Sequence, residues 1–563
     1  MGAPKYSPFL GVIPAIELDT KALQYMRVTD FEVVQQVNGI PSLRMTLKRK
    51  DTSPMKWDMF DRDVASFVPG TKIALSMPMP TAERTQTLFA GIVTSQRIVW
   101  DKDQSNPVLM VRAEHALRKL DGPLVSDIYQ KRSDKSVLTE LLEKYVTLGK
   151  NDIKGPDHEQ LIQWRCSHWY WLRRRLRASG IWLLPHMDKV DCVLPSLSGA
   201  RVHKIHPTAD VPDLPVLEQV EWQCDNSTIS AQMEGRHWDI AQQNVSPTVL
   251  ANPAQIGSGG LDPRRIRSLT NETWQFYDAV SLVDGEMQPK LDGRFLMQHA
   301  AAVTTRLTLR ADVQTLRYRL GDIVELGGLG TRASGLALMC GIRHRWDPPH
   351  FTTTVTTGLD DPLAIDAAAL PRASALTVAV VADYEEDETQ ADRIRIRLPE
   401  LGEQTIWARF AKPFASAGSG FHLYPKPKDE VLVAFIDDDP RYPVVLGATH
   451  NPVNMAPMPD DAKTDRQAWR GWIEVDDETK RFLGVNFADA HVRIESRDSV
   501  LHVGTAGRDS ETDDHRSRLH IGKDGVDASG ATVTIDASDK VTVKGASHVA
   551  IVGKAIDLKQ HDS

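Results

Sequence analysis

Two groups of side chains in this sequence have the types to hold a divalent cation. Asp437, Asp438 and Asp439 set three carboxylates in a row, donors of the kind that Mg²⁺ and Ca²⁺ take. His203 and His206, flanked at a distance by Cys192 and Cys224, offer the imidazoles and thiols that zinc prefers. Neither spacing suits a metal. The aspartates stand between an alternating apolar run and Pro440, where Asp serves turn geometry, so a turn is expected there. The cysteines lack Cys-x-x-Cys pairing, and the histidines are too close in sequence for the usual zinc spacing. His158-Glu159 begins like a metalloprotease helix but no second histidine follows. Asp513, Asp514, His515 and His520 lie among polar repeat residues and read as solvated. With no Gly-x-Ser-x-Gly elbow, P-loop lysine or dinucleotide fingerprint, the chain is expected to be structural rather than an enzyme.

A third constellation mixes aromatics and cations. Trp164, His168, Trp171, Leu172 and Leu176 fall on one side of a predicted helix over 158–179, with Arg173, Arg174, Arg175 and Arg177 mostly on the other. Such a surface could grip membrane or nucleic acid. An amphipathic helix with its aromatics in a core and its arginines in solvent, or on an acidic neighbour, is the expectation. The formal net charge of -8 gives no global electrostatic footprint for nucleic acid.

The chain of 563 residues is too long for one compact core, and 41% hydrophobic with 25% charged residues argues against wholesale disorder. Four scattered cysteines, Cys166, Cys192, Cys224 and Cys340, read as reduced thiols of a cytosol-made protein. The N-terminus has no apolar signal region, and no stretch approaches a membrane span, so synthesis in the cytoplasm is expected.

The elements are mostly strands. Phe31–Val37, Ser42–Leu47, Thr71–Ser76, Leu88–Thr94 and Leu109–Ala113 are the predicted strands of a first barrel, with turns at Asn38-Gly39 and Pro69-Gly70. Ser133–Tyr145 is a predicted helix, its stripe formed by Val137, Leu138, Leu141, Leu142 and Tyr145. Residues 217–245 and 290–358 alternate again and predict a second barrel, separated by a Pro-, Gly- and Asn-rich loop over 246–267. Residues 364–375 read as a linker. Beyond it, Ile394, Ile396 and Leu398 alternate with Arg393, Arg395 and Arg397, followed by runs at 431–435 and 444–446; short strands punctuated by Pro and Gly predict a small closed Greek-key barrel of OB type.

The order of phrases in that last stretch resembles the OB domain of the VgrG and phage-baseplate spike family. The phrases are Trp407 and Arg409; Pro425 with Asp429, Glu430 and Val431; Asp439, Pro440, Pro443 and Gly447; then Asn451. Gly70, Ile73, Leu75, Phe89, Gly91, Ile92, Val93, Leu117 and Leu120 resemble, in order, the first barrel of the same family's base. After a linker at 455–461 the apolar residues become small and β-branched. Strands are predicted at 492–495, 500–503, 519–521, 532–535, 541–543 and 549–552, the last three in an octad: Ile535, then Val543 with Gly545, then Ile551 with Gly553. A fixed period of this kind predicts a β-helix or prism whose core identical chains must complete.

The resemblance implies a mainly β, minor α protein. It would have a tandem β-barrel base over 1–370, an OB-fold collar over 371–455 and a β-helical needle over 456–563, assembled as a homotrimer. It implies docking on a hexameric inner tube, contacts with baseplate wedge proteins and effectors, and a small PAAR-like tip protein seated near Asp557, Leu558 and His561. The role would be to puncture a target envelope, meeting the membrane only mechanically; no nucleic-acid partner is expected. Delivery to the exterior or into a target cell on contraction follows. No cofactor is expected; an iron at the trimer tip has only His548 and His561 as candidates. The type VI secretion system, extracellular injection particles and phage tails all fit. The rival reading is an envelope-degrading hydrolase or a glycan-binding module of a baseplate.

Overall fold

The computed structural model describes residues 8–9, 11–19, 23, 25–50, 57–79, 85–100, 107–187, 189–207, 214–227, 229–240, 242–281, 285–359, 373, 376–417, 419–420, 423–456, the backbone of the strands between 468 and 529, and residues 535, 540–545 and 547–555. They fall into two units, Met1–Thr449 and His450–Ser563.

The first unit is built on one long sheet. In pairing order its strands are 15–18, 72–78, 85–99, 108–114, 42–49, 26–36, 335–347, 350–357, 303–310 and 217–224. Strand 323–326 pairs with 335–347 and carries 202–205 on its other side. Alternate side chains of Ser42–Arg49 are buried, and those of Met26–Gln36 too apart from a slip at the bulge after Val28, the period of two expected of sheets with one covered face. The two predicted barrels therefore share a continuous sheet, joined where Phe31 faces Trp346, while 232–239 and 244–245, expected in the second barrel, instead form a separate sheet with 249–250 and 273–281. Each half keeps its own core. Leu43, Leu47, Leu75, Phe89 and Phe351 fill the first; Leu307, Leu309, Val324, Met339 and Val355 fill the second. Asn38 makes the first hairpin turn with φ of 59°, and its carboxamide oxygen accepts the Leu183 N–H at 2.8 Å.

Four α-helices are described: α1 (Trp57–Val64), α2 (Asp134–Glu143), α3 (His168–Ala178) and α4 (Met287–Ala302). In α2 Val137, Leu138, Leu141 and Leu142 of the predicted stripe are buried, Tyr145 falls beyond the helix and is half-buried, and the Ser133 hydroxyl caps the N-terminus by accepting the Ser136 N–H. The helix predicted over 158–179 is corrected. Only its second half is α3; Asp157–Cys166 is a strand paired with Val125–Ser133. Arg174, Arg175 and Arg177 are also buried rather than solvated. The alternation read from residue 290 onward is corrected at its start, where Met287–Ala302 is helix α4, its helical signal masked by Pro289 and Gly293. Pro289 sits in the first turn, where its missing N–H costs nothing. Gly293 is required by a close crossing of α4 on the end of α3: a Cβ there would lie 2.6 Å from the Arg177 carbonyl oxygen and from the Gly180 nitrogen.

The OB module is the one closed barrel among the described residues, with strands 377–381, 393–397, 405–410, 443–449 and 430–435 in ring order. Ala379, Ile396, Ile406, Ala408, Val431, Val433 and Val445 are fully buried inside it, the inward half of the alternation seen in the sequence.

In the second unit, 468–474, 480–486 and 491–495 form one antiparallel sheet, and 498–501, 518–522 and 525–529 another. The strands predicted at 541–543 and 549–552 do not form: the described residues there, and Ile535, carry no strand pairing. Ile535, Val543 and Ile551 are 70–74% exposed. An octad repeat cannot cover its own apolar edge, so a single chain leaves these side chains without partners. Asp557, Leu558, His561 and the two predicted linkers' central residues, 364–372 and 457–461, lie outside the described residues.

Candidate functional site

The base and the OB barrel meet on the two-stranded antiparallel sheet of Val125–Ser133 and Asp157–Cys166. The second strand is buried on both sides. Leu161 and Cys166 face the helical core with Leu138 and Trp171. Ile162 and Trp164, with Ile128 from the paired strand, enter the core of the OB barrel. The Trp164 ring centre lies 5.3 Å from that of Phe435.

Gln160 joins the same strand to the barrel by hydrogen bonds. Its amide oxygen accepts the Trp407 N–H at 3.0 Å and its amide nitrogen donates to the Trp407 carbonyl at 3.1 Å. Strand 405–410 pairs with 443–449 only from Arg409 onward, so the Gln160 amide serves Trp407 as a substitute strand neighbour. The same nitrogen also donates to the Arg441 carbonyl at 2.8 Å. Beside it Arg393, whose side chain is 4% exposed, binds Glu159 of the base and Asp387 of the barrel. Arg165 pairs with Glu400, and the Gln130 amide donates to the Thr405 carbonyl at 2.7 Å.

Under this layer lies a buried charge cluster drawn from five elements. The Arg441 guanidinium donates to Glu286 at 2.8 Å and to Asp439 at 2.8 Å. Glu286 stands at the start of α4, 3.4 Å from Lys290 and 3.7 Å from Arg175 of α3. Arg175 donates to Asp134, the first residue of α2, at 2.5–2.6 Å. His158, 2% exposed, lies 3.3 Å from Asp134 and 3.6 Å from Glu286. Burial alone pushes a carboxyl up, yet Arg175 and the hydrogen bonds from His158 and Arg175 hold Asp134 well below the usual carboxylate range. Against the same burial, Arg441, Lys290 and Arg175 hold Glu286 equally low. Asp439 is lowered too, by Arg441 against burial. Burial acts to lower Arg441, but Asp439 and Glu286 outweigh it and raise the guanidinium further. The cluster is ionised and stays so. With its carboxylates and guanidiniums holding one another charged, it is a rivet.

The motif residues read from the sequence are mostly framework of this barrel. The guanidinium carbons of Arg393 and Arg395 lie 5.1 and 5.0 Å from the Trp407 ring centre. The Pro425 carbonyl accepts the Tyr384 hydroxyl at 2.6 Å, and Asp429 accepts the Lys426 N–H at 2.8 Å to close a turn. Glu430 accepts the Thr449 hydroxyl at 2.5 Å; Val431 is in the core. Asp437 and Asp438 adopt left-handed φ of 52° and 58°, Asp439 is committed to Arg441, and Pro440 is buried beside it. Pro443 opens the last strand opposite Phe435, and Gly447 faces Leu432. Asn451 accepts the N–H groups of Val453 and Asn454. The side chain of Arg409 has no hydrogen-bond or ion-pair partner among the described residues. Of the junction residues, Glu286 and Arg441 carried no sequence motif. His203 pairs with Asp322 at 2.8 Å, and the described residues contain no group of three or more His, Cys, Asp or Glu side chains disposed for a metal.

Residues 12–347 match the family model described as the Alg8 N-terminal domain, over more than half of the chain. The chain belongs to that family. In this member the family domain is followed by a type VI secretion system/phage-baseplate injector OB domain, matched over residues 377–450. No curated protein matches the sequence. Among solved structures, the half-lidded Francisella PdpA–VgrG complex superposes with a TM-score of 0.54 at 9% identity, covering 86% of this chain and 88% of the other. The lidless PdpA–VgrG complex gives 0.53 at 9% identity, covering 86% and 98%. The E. coli c3393 protein, described as a type VI secretion component similar to the T4 phage tail proteins gp27 and gp5, gives 0.49 at 14% identity, covering 77% and 99%. The Alg8-family base and its OB barrel thus have the VgrG-like hub-and-spike fold.

Proposed function

We propose that this chain is the central spike of a contractile injection machine, with its base seated on the inner tube and its OB barrel as the collar of a homotrimeric needle. The observation that carries the reading is the junction. A structural spike must pass an axial push from base to needle without hinging, and here one strand is shared by the two cores and a buried ion cluster is drawn from five elements. The exposed octad Ile535, Val543, Ile551 supports assembly, because identical chains would supply the missing strand neighbours. Tube, wedge, tip-protein and effector contacts belong to this reading, as does delivery outward on contraction. No step in it requires catalysis.

The test is the absolute mass of the full chain by light scattering, repeated on a chain ending at Asn454. A trimer for the full chain that weakens on truncation is expected. A folded monomer at micromolar concentration overturns the intertwined needle.

A further inference from the structure

The long sheet of the base turns one face to its cores and the other to solvent, and part of the outer face carries cations without counter-charges. Residues 95, 112, 44, 32, 345 and 352 stand side by side in one register row across six strands, reading Ser, Arg, Arg, Glu, Arg and Thr. Arg343 lies two residues from Arg345 on the same face, and all four arginines are exposed. Arg44 is therefore directly opposite Arg112, and like charges in that position destabilise a sheet. Glu32 is 3.6 Å from Arg343, whereas Arg44, Arg112 and Arg345 have no side-chain partner among the described residues. The nearby carboxylates are committed, Glu114 to Arg118 and Asp30 to the hydroxyls of Thr29 and Thr46. Towards the edge strand 217–224 the charges balance, because Arg306 and Arg310 meet Glu221 and Glu218.

Guanidiniums bind carboxylates and phosphates alike through paired hydrogen bonds. Shape and neighbours decide between the two. Strands from 72–78 round to 350–357 fill one core with Leu75, Leu43, Phe31 and Phe351, so the arginines stand on the convex side of a curled sheet. A DNA duplex is read by a helix or ribbon that enters its groove, not by a convex strand face. A single strand needs aromatic platforms, whereas the side chains beside these arginines are the small hydroxyls of Ser42, Thr46, Thr352 and Thr354. Met110, 45% exposed, shares the face with Arg112, and Arg with Met is a composition enriched where proteins meet. We infer that the outer face of strands 108–114, 42–49, 26–36 and 335–347 is a docking surface for an acidic protein, whose clustered carboxylates pair with Arg44, Arg112 and Arg345. The inference rests on this sheet alone and holds whether or not the chain is a spike.

The probe is fluorescein-labelled poly-L-glutamate, titrated with the full chain at low ionic strength, with a short labelled DNA duplex titrated in parallel. Saturable binding of poly-L-glutamate is expected, tighter than that of the duplex. Arg44→Ser with Arg112→Ser should weaken it about fivefold or more, the loss of two exposed ion pairs. Arg306→Ser with Arg310→Ser removes the same charge from positions that already have carboxylates, and should weaken it distinctly less. Because Arg44 and Arg112 repel one another, the first variant should melt no lower than the parent. Four results overturn the inference: no binding of poly-L-glutamate, equal weakening by the two variants, tighter binding of the duplex, or a lower Tm for Arg44→Ser with Arg112→Ser, which would assign both guanidiniums to the fold.

Discussion

Replacing Arg441 by Met removes the charge that joins the OB barrel to α4 while keeping most of the side-chain volume. Arg441 is 5% exposed and holds two carboxylates, Glu286 and Asp439. Removing one partner of a buried pair costs about 3–5 kcal/mol, because the other charge is left without compensation. Glu286 keeps Lys290 at 3.4 Å and Arg175 at 3.7 Å, whereas the only ion-pair partner shown for Asp439 is Arg441, so most of the cost falls on Asp439. For a unit of this size the expected fall in Tm is about 3–5 °C, measured by calorimetry on the full chain. The pH dependence gives a sharper check. In the parent both carboxyls are held low, so their contribution is complete above the unfolded carboxyl range near 4 and is lost only as pH falls through the depressed values. In Arg441→Met the orphaned carboxylate prefers its neutral form, so the deficit should shrink between pH 7 and pH 5. Adding Asp439→Asn to the variant should recover part of the loss at pH 7. A deficit below about 1 kcal/mol, or one that grows on acidification, would refute the rivet.

Gly293→Ala sets two effects of opposite sign against each other. Helix propensity favours Ala by about 1 kcal/mol, whereas overpacking against backbone costs about 1–3 kcal/mol. Because the new methyl would lie 2.6 Å from the Arg177 carbonyl, a lower Tm is expected, and a higher one would show that the crossing can open. Val543→Asp with Ile551→Asp changes side chains that are 70–71% exposed in the single chain. The melting of the first unit should be unchanged while the trimer is lost by light scattering; a persistent trimer would place the assembly contacts elsewhere.

How far each part could be read from sequence depended on how many surfaces each segment serves. The OB strands have one buried face, so Ile394 and Ile396 alternate with Arg393, Arg395 and Arg397 and announce themselves, and Val431, Val433 and Phe435 recur at every second position. Helix α2 likewise shows one stripe. Residues 157–166 serve two cores, so the neighbours Leu161 and Ile162 are both buried, the period of two is broken, and the run passes for the first half of an aromatic helix. That error also misplaced the arginines, because the expected solvent face of α3 is where Asp134 and Glu286 stand. The charge cluster itself was not legible. Its members are separated by up to hundreds of residues and make sense only once α2, α3, α4 and the barrel turn converge. Helix α4 was hidden by Pro289 and Gly293, each tolerated for a local reason that no sequence pattern records.

The strand shared between two cores also sets a schedule for synthesis. Trp164 leaves the ribosome long before Phe435, the ring it packs against. At about 5–20 residues per second, the interval is roughly 15–50 s. Throughout it, Ile128, Ile162 and Trp164 form an apolar patch whose cover does not yet exist. The nascent base therefore carries this patch uncovered until the barrel strands emerge, and sequence changes that slow translation between these two points lengthen its exposure.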